Sequence, residues 1–183
     1  MMLGAIVTVI TMVALPMQAQ DTTAHHDTVP APVPAPPPTP SIEQIHYMDG
    51  LKTVTRGVAQ LRDGLNRVSR TQQADSTTRH SAARRLGGLC GSARSFIASG
   101  RPKMQATAYT DSLRILAKQL TLRLDSLTNA LPNCERTAGH DPTVATALTT
   151  KLKSYDDALL AFKTSQAALY RPDSAKAQPQ TPQ

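Results

Sequence analysis

Only two cysteines, Cys90 and Cys134, occur in the 183 residues, and the stretch between them is Leu-rich and helical in pattern. An even pair of this kind reads as a structural bridge wherever the compartment is oxidising. Closing a loop of 44 residues (134 minus 90) is worth about 4 kcal/mol in the chain-entropy model. The N-terminal segment supplies the compartment. Leu3 to Leu15 form an almost unbroken apolar run, followed by Pro16-Met17-Gln18-Ala19-Gln20. That run falls short of the roughly 20 apolar residues a membrane-spanning helix needs. It fits the hydrophobic core of a secretory signal peptide with Ala19 at the cleavage point, although Met1-Met2 departs from the pattern by carrying no Lys or Arg. Residues 1–19 are therefore expected to be a signal peptide, and the product periplasmic or secreted.

Residues 20–40 include VPAPVPAPPPTP, a composition that favours an extended polyproline II spacer and cannot bury a core. Beyond it, residues 41–171 carry four helical patterns and no competing strand pattern. Ser41, with Pro40 before it and Gln44 three residues on, opens a capping box. Leu51, Val54, Val58, Leu61, Leu65 and Val68 then recur at steps of three and four, the signature of a packed helical seam. The first helix is expected over about 42–73. The second, over 77–99, presents Ala82, Leu86, Leu89, Ala93 and Phe96. The third ends at 131 and presents Leu113, Leu116, Leu120, Leu124, Leu127 and Leu131. A loop is expected over 133–140. Asp141-Pro142 caps the fourth helix, 142–170, with Val144, Leu148, Leu152, Tyr155, Leu159, Phe162 and Leu169 on its apolar face. Short connections between four helices predict an up-down-up-down bundle. Residues 172–183 are polar, contain proline, and are expected to be disordered.

The bridge and the helical hairpin impose incompatible registers if the third helix begins at Pro102. Cys134 would then lie about 33 Å further down the bundle than Cys90, whereas a disulfide tolerates a Cα separation of about 4.4–6.8 Å. Either the third helix starts near Thr110-Asp111, after an irregular stretch, or a continuous helix from 102 excludes the bridge.

Ten basic residues against two acidic ones fall between Arg56 and Lys103, within a chain of net charge +7. Arg56, Arg67 and Arg70 share one face of the first helix, and Arg79, Arg84, Arg85 and Arg94 follow on the second. Guanidinium groups bind carboxylate and phosphate bidentately, so an acidic envelope protein or a polyanion is the expected partner. Nucleic acid fits worse, because aromatic residues are not interleaved for stacking. Gly50, Gly57 and Gly64 form one smooth ridge, and Ala83, Gly87, Gly91 and Ser95 another. The two ridges are expected to face each other, or to help a second copy dock.

No catalytic residues and no cofactor are assigned. The chain has only two Glu, Glu43 and Glu135, and no Trp, with no G-x-S-x-G motif and no cysteine near a histidine in sequence. Haem attachment through C-x-x-C-H is absent, as are the H-E-x-x-H and Glu-x-x-His metal patterns. Among the histidines (His25, His26, His46, His80 and His140), His46 with Met48 or Met104 is the pairing a haem- or metal-binding bundle would use. The leading expectation is an exported, non-enzymatic helical bundle with a structural or binding role in the cell envelope. The cofactor-binding bundle is its alternative.

Overall fold

The computed structural model describes residues 39–170. The expected signal peptide, all of the Pro-rich linker except Thr39 and Pro40, and the expected tail lie outside the described residues. Those residues form five α-helices and no strand: α1 (Ile42–Arg70), α2 (Ser76–Gly100), α3 (Asp111–Thr128), α4 (Leu131–Thr137) and α5 (Thr143–Leu169). Two short 3₁₀ turns, Arg101–Lys103 and Ala106–Ala108, occupy the link from α2 to α3.

α1 begins where the capping box demands. Ser41 Oγ accepts from the Gln44 N–H at 3.3 Å, and the Gln44 side chain accepts from the Ser41 N–H at 3.0 Å, satisfying two donors that no helical carbonyl could reach. The helix stops at Arg70, three residues before the expected boundary, because Thr71 closes the last turn by donating to Val68 and Arg67 carbonyls. Asp75 then caps α2, accepting from the Thr78 N–H at 2.9 Å and its hydroxyl at 2.7 Å.

α1 and α2 pack antiparallel and very closely. A Cβ at Gly57 would lie 2.9 Å from the Ala93 carbonyl oxygen and 2.7 Å from Phe96 Cβ, and one at Gly64 would lie 2.9 Å from Leu89. At the end of the hairpin a Cβ on Gly50 would come 2.6 Å from the Gly100 carbonyl oxygen. The facing surface of α2 is not the expected ridge, which is a correction to the sequence reading. Gly87 and Gly91 turn toward α4, with Gly87 3.2 Å (as a Cβ) from the Glu135 carbonyl and Gly91 3.0 Å from the Glu135 carboxylate. The second helix is thus gripped from two sides. Leu89 and Phe96 are only half-buried against the α1 glycines, and Cys90 and Ile97 take the interior positions instead.

The later of the two starts considered for the third helix is the observed one. The irregular Arg101–Thr110 stretch delays α3, and Asp111 enters it through the left-handed region at φ 47°, a conformation Asp tolerates better than most residues. Cys90 and Cys134 are joined, with Cα atoms 6.1 Å apart. The stretch expected as a loop after Leu131 is instead the seven-residue helix α4. Pro132 does not terminate a helix here. It sits in the first turn of a new one, where its missing N–H costs nothing, and Leu131 and Cys134 are both buried.

α5 runs antiparallel to α1 and to α3. Tyr170 Oη donates to Gln44 Oε1 at one end, while Arg62 pairs with Asp156 at 2.7 Å further along. Lys151 Nζ reaches Ser126 Oγ at 3.2 Å across to α3. The four long helices enclose a core of Leu, Val and Ala. At one end that core becomes aromatic: Tyr47, Tyr109 and Phe162 stack with ring centroids 5.1–5.3 Å apart. Met104, delivered by the irregular link, is buried beside them. No helix among the described residues is long and apolar enough to cross a membrane.

Candidate functional site

The opposite end of the bundle gathers the charge. It holds the α1–α2 turn and the α4–α5 turn side by side, and three close approaches keep them there. These are the Cys90–Cys134 bond, the seat of α4 on Gly87, and Gly139, where a Cβ would lie 3.0 Å from Arg84 Cγ. Arg67, Arg70, Arg79, Arg84 and Arg85 are all exposed at this end. Arg67 is tied to Asp63 at 3.3 Å. Among the described residues the other four have no carboxylate within ion-pair distance.

Two shallow clefts flank the turn. The first, of about 440 Å³, is floored by Val68, Leu86 and Ala138 and rimmed by Arg79, His80, His140 and Asp141. The His80 and His140 rings stand 6.0 Å apart, centroid to centroid. The second places Arg67 and Arg85 beside Thr71, Thr78, Ser81 and Ala82. The two carboxylates nearest these clefts are engaged in capping. The backbone N–H and then the hydroxyl of Thr78 hold Asp75 below the usual carboxylate range. The Thr143 hydroxyl and N–H do the same for Asp141, accepting geometry being 2.6 and 2.9 Å.

Not all residues singled out by sequence converge here. Arg94 is removed from the set by its 2.9 Å pair with Glu135. Arg56 lies toward the other end, beside Lys52 and Lys163 in a separate shallow cleft. His46 is exposed while Met104 is buried, so that pairing does not assemble. Met48 Sδ instead accepts from Gln166 Nε2 at 3.2 Å. Among the described residues no three His, Cys, Asp or Glu side chains cluster closely enough to hold a metal ion. The cleft residues His80 and His140 were visible as letters, but nothing in a 60-residue separation (140 minus 80) signals that they meet. Only the bridge, ten residues from His80 (90 minus 80) and six from His140 (140 minus 134), could have suggested it.

No family model, no curated protein and no solved structure matches this chain.

Proposed function

We propose that this chain is an exported, non-enzymatic helical bundle whose basic end binds an anionic partner in the cell envelope, an acidic protein or a polyanion. The observation that carries the reading is the group of four arginines, Arg70, Arg79, Arg84 and Arg85, exposed at one end with no carboxylate partner among the described residues. Like charges held together on a rigid frame raise the local potential and attract anions at distances up to about a Debye length, roughly 8–10 Å at physiological salt. The disulfide supports export, since such bonds persist outside the reducing cytosol.

The test is chromatography of the full chain on a sulfated polysaccharide matrix. Retention falls as salt rises, Arg84→Ala with Arg85→Ala elutes at clearly lower salt, and Arg94→Ala with Glu135→Gln, which removes an ion pair without changing the net charge, elutes close to the parent. Salt-independent behaviour, or equal effects of the two double substitutions, sinks the reading. Mass analysis of native material tests export separately: an intact Met1 with two alkylatable thiols counts against it.

A further inference from the structure

We infer that the cleft between the α1–α2 and α4–α5 turns is a binding site for a small organic anion with an apolar body, of the kind a medium-chain carboxylate represents. This rests on the basic-end reading above and deepens it by separating one pocketed site from the general surface charge.

Three features of the cleft point to this ligand class. Its volume of about 440 Å³ falls inside the roughly 300–1,000 Å³ of small-molecule sites. Its floor is aliphatic, from Val68, Leu86 and Ala138, so a hydrocarbon body entering it removes apolar surface from water on both sides. Its polar rim is biased toward donors. Arg79 offers a planar fork of N–H groups, and His80 and His140, with rings 6.0 Å apart, each present an imidazole N–H in any protonation state. The one carboxylate on the rim, Asp141, is already bonded to the N–H and hydroxyl of Thr143 at the start of α5. An acid headgroup thus meets one guanidinium and two imidazole N–H donors, while an ammonium headgroup meets that same guanidinium and a carboxylate that is already hydrogen-bonded. A fully polar polyanion gains nothing from the aliphatic floor and is better served by the flanking arginines.

The experiment is a two-dimensional amide NMR titration of the disulfide-linked full chain with octanoate, octyltrimethylammonium and inorganic sulfate at matched ionic strength. Octanoate should give saturable shifts confined to residues 68–72, 79–86 and 138–146, with sulfate weaker by about tenfold or more and the ammonium silent. Arg79→Ala should weaken octanoate by about tenfold, and Lys118→Ala, on the exposed face of α3, should leave it unchanged. Ala145→Leu, which fills the cleft, should abolish the octanoate response while leaving salt-dependent column retention intact. Octanoate shifts that do not saturate, that scatter over the surface or that survive both cleft substitutions overturn the proposal, as does equal binding of the ammonium. Failure with octanoate alongside retained column binding removes the cleft and leaves the basic end. Loss of column retention in the parent chain removes the broader reading whatever octanoate does.

Discussion

The two ends of this bundle are closed by opposite means. At one, large rings fill the interior: Tyr47, Tyr109 and Phe162 are each at most 1 % exposed, and Arg101 clamps Asp125 through two hydrogen bonds of 2.8 and 3.0 Å. At the other, the facing surfaces are small (Ala82, Gly87, Ala138 and Gly139), four of the five arginines have no carboxylate within ion-pair distance among the described residues, and a cleft remains. Bulk and satisfied charge build stability, whereas small side chains and unsatisfied charge leave room for something else to bind. The difference teaches that burial is concentrated away from the surface on which a partner would act.

The sharpest test of this contrast is Phe162→Ala against Arg70→Ala, whose side chain is exposed. Truncating the buried ring should cost about 3–5 kcal/mol, and removing the exposed guanidinium less than about 0.5 kcal/mol, both read from denaturant unfolding. Similar losses would mean that the basic end is structural after all. Next in size is the bridge. Cys90→Ala with Cys134→Ala should lower stability by about 4 kcal/mol or less, and hydrogen exchange should show α4 and the turn after it losing protection before the aromatic end does. Uniform loss of protection would erase the distinction between the ends.

Glycine substitutions sharpen the comparison on a smaller scale. Gly57→Ala drives a methyl to 2.9 Å from the Ala93 carbonyl oxygen, a backbone atom that cannot swing aside, and should cost about 1–3 kcal/mol. Gly88, where an added Cβ meets nothing within 4 Å, should gain about 0.5–1 kcal/mol on becoming Ala, from helix propensity alone. A rise in melting temperature for Gly57→Ala would refute the close packing of α1 on α2.

The buried tyrosines supply a further test, one whose effect appears only in alkali. Burial pushes Tyr155 and Tyr109 up to about 12 and Tyr47 higher still. The hydroxyls of Tyr47 and Tyr155 are buried without a well-formed hydrogen bond. Thr121 and Thr55 stand beside them and give a slight opposing pull, but those threonines donate their own protons to helix carbonyls at 2.8 Å. A phenol whose folded pKa is raised favours the fold below its ordinary value near 10 and withdraws that support as pH climbs through about 10 to 12. Unfolding followed by tyrosinate absorbance should therefore begin above about pH 10, and Tyr155→Phe should move its midpoint upward. An unchanged midpoint would show that the ring is not the group that titrates.

How far the sequence carried can be judged from individual residues. The seam of α1 was legible because its apolar residues recur at steps of three and four with polar neighbours, and Leu51, Val54, Val58, Leu61 and Leu65 are all buried. α2 was harder, since it touches two partners: its apolar residues do not define one face, so Leu89 and Phe96 were read as core when Cys90 and Ile97 hold those places. α4 was missed because Pro132 serves equally well as a stop or a start, and only the packing of Leu131 and Cys134 decides between them. Leu169, expected on the apolar face of the last helix, is 53 % exposed. At the basic end the sequence showed the charge but not its partition. Glu135 neutralises Arg94 across helices that periodicity cannot align, and the same blindness hid the meeting of His80 with His140.

The contact at the mouth of the α1–α2 hairpin has a consequence for how this chain can vary. A Cβ on Gly50 would intrude on the Gly100 carbonyl, and a Cβ on Gly100 would lie 2.5 Å from the Gly50 carbonyl. Neither obstacle is a side chain, so no compensating change at the other position relieves it, and a second substitution only adds to the first. The two sites are locked by main chain rather than matched to each other. Sequence drift should leave both letters fixed without ever producing the correlated exchange that usually betrays a contact.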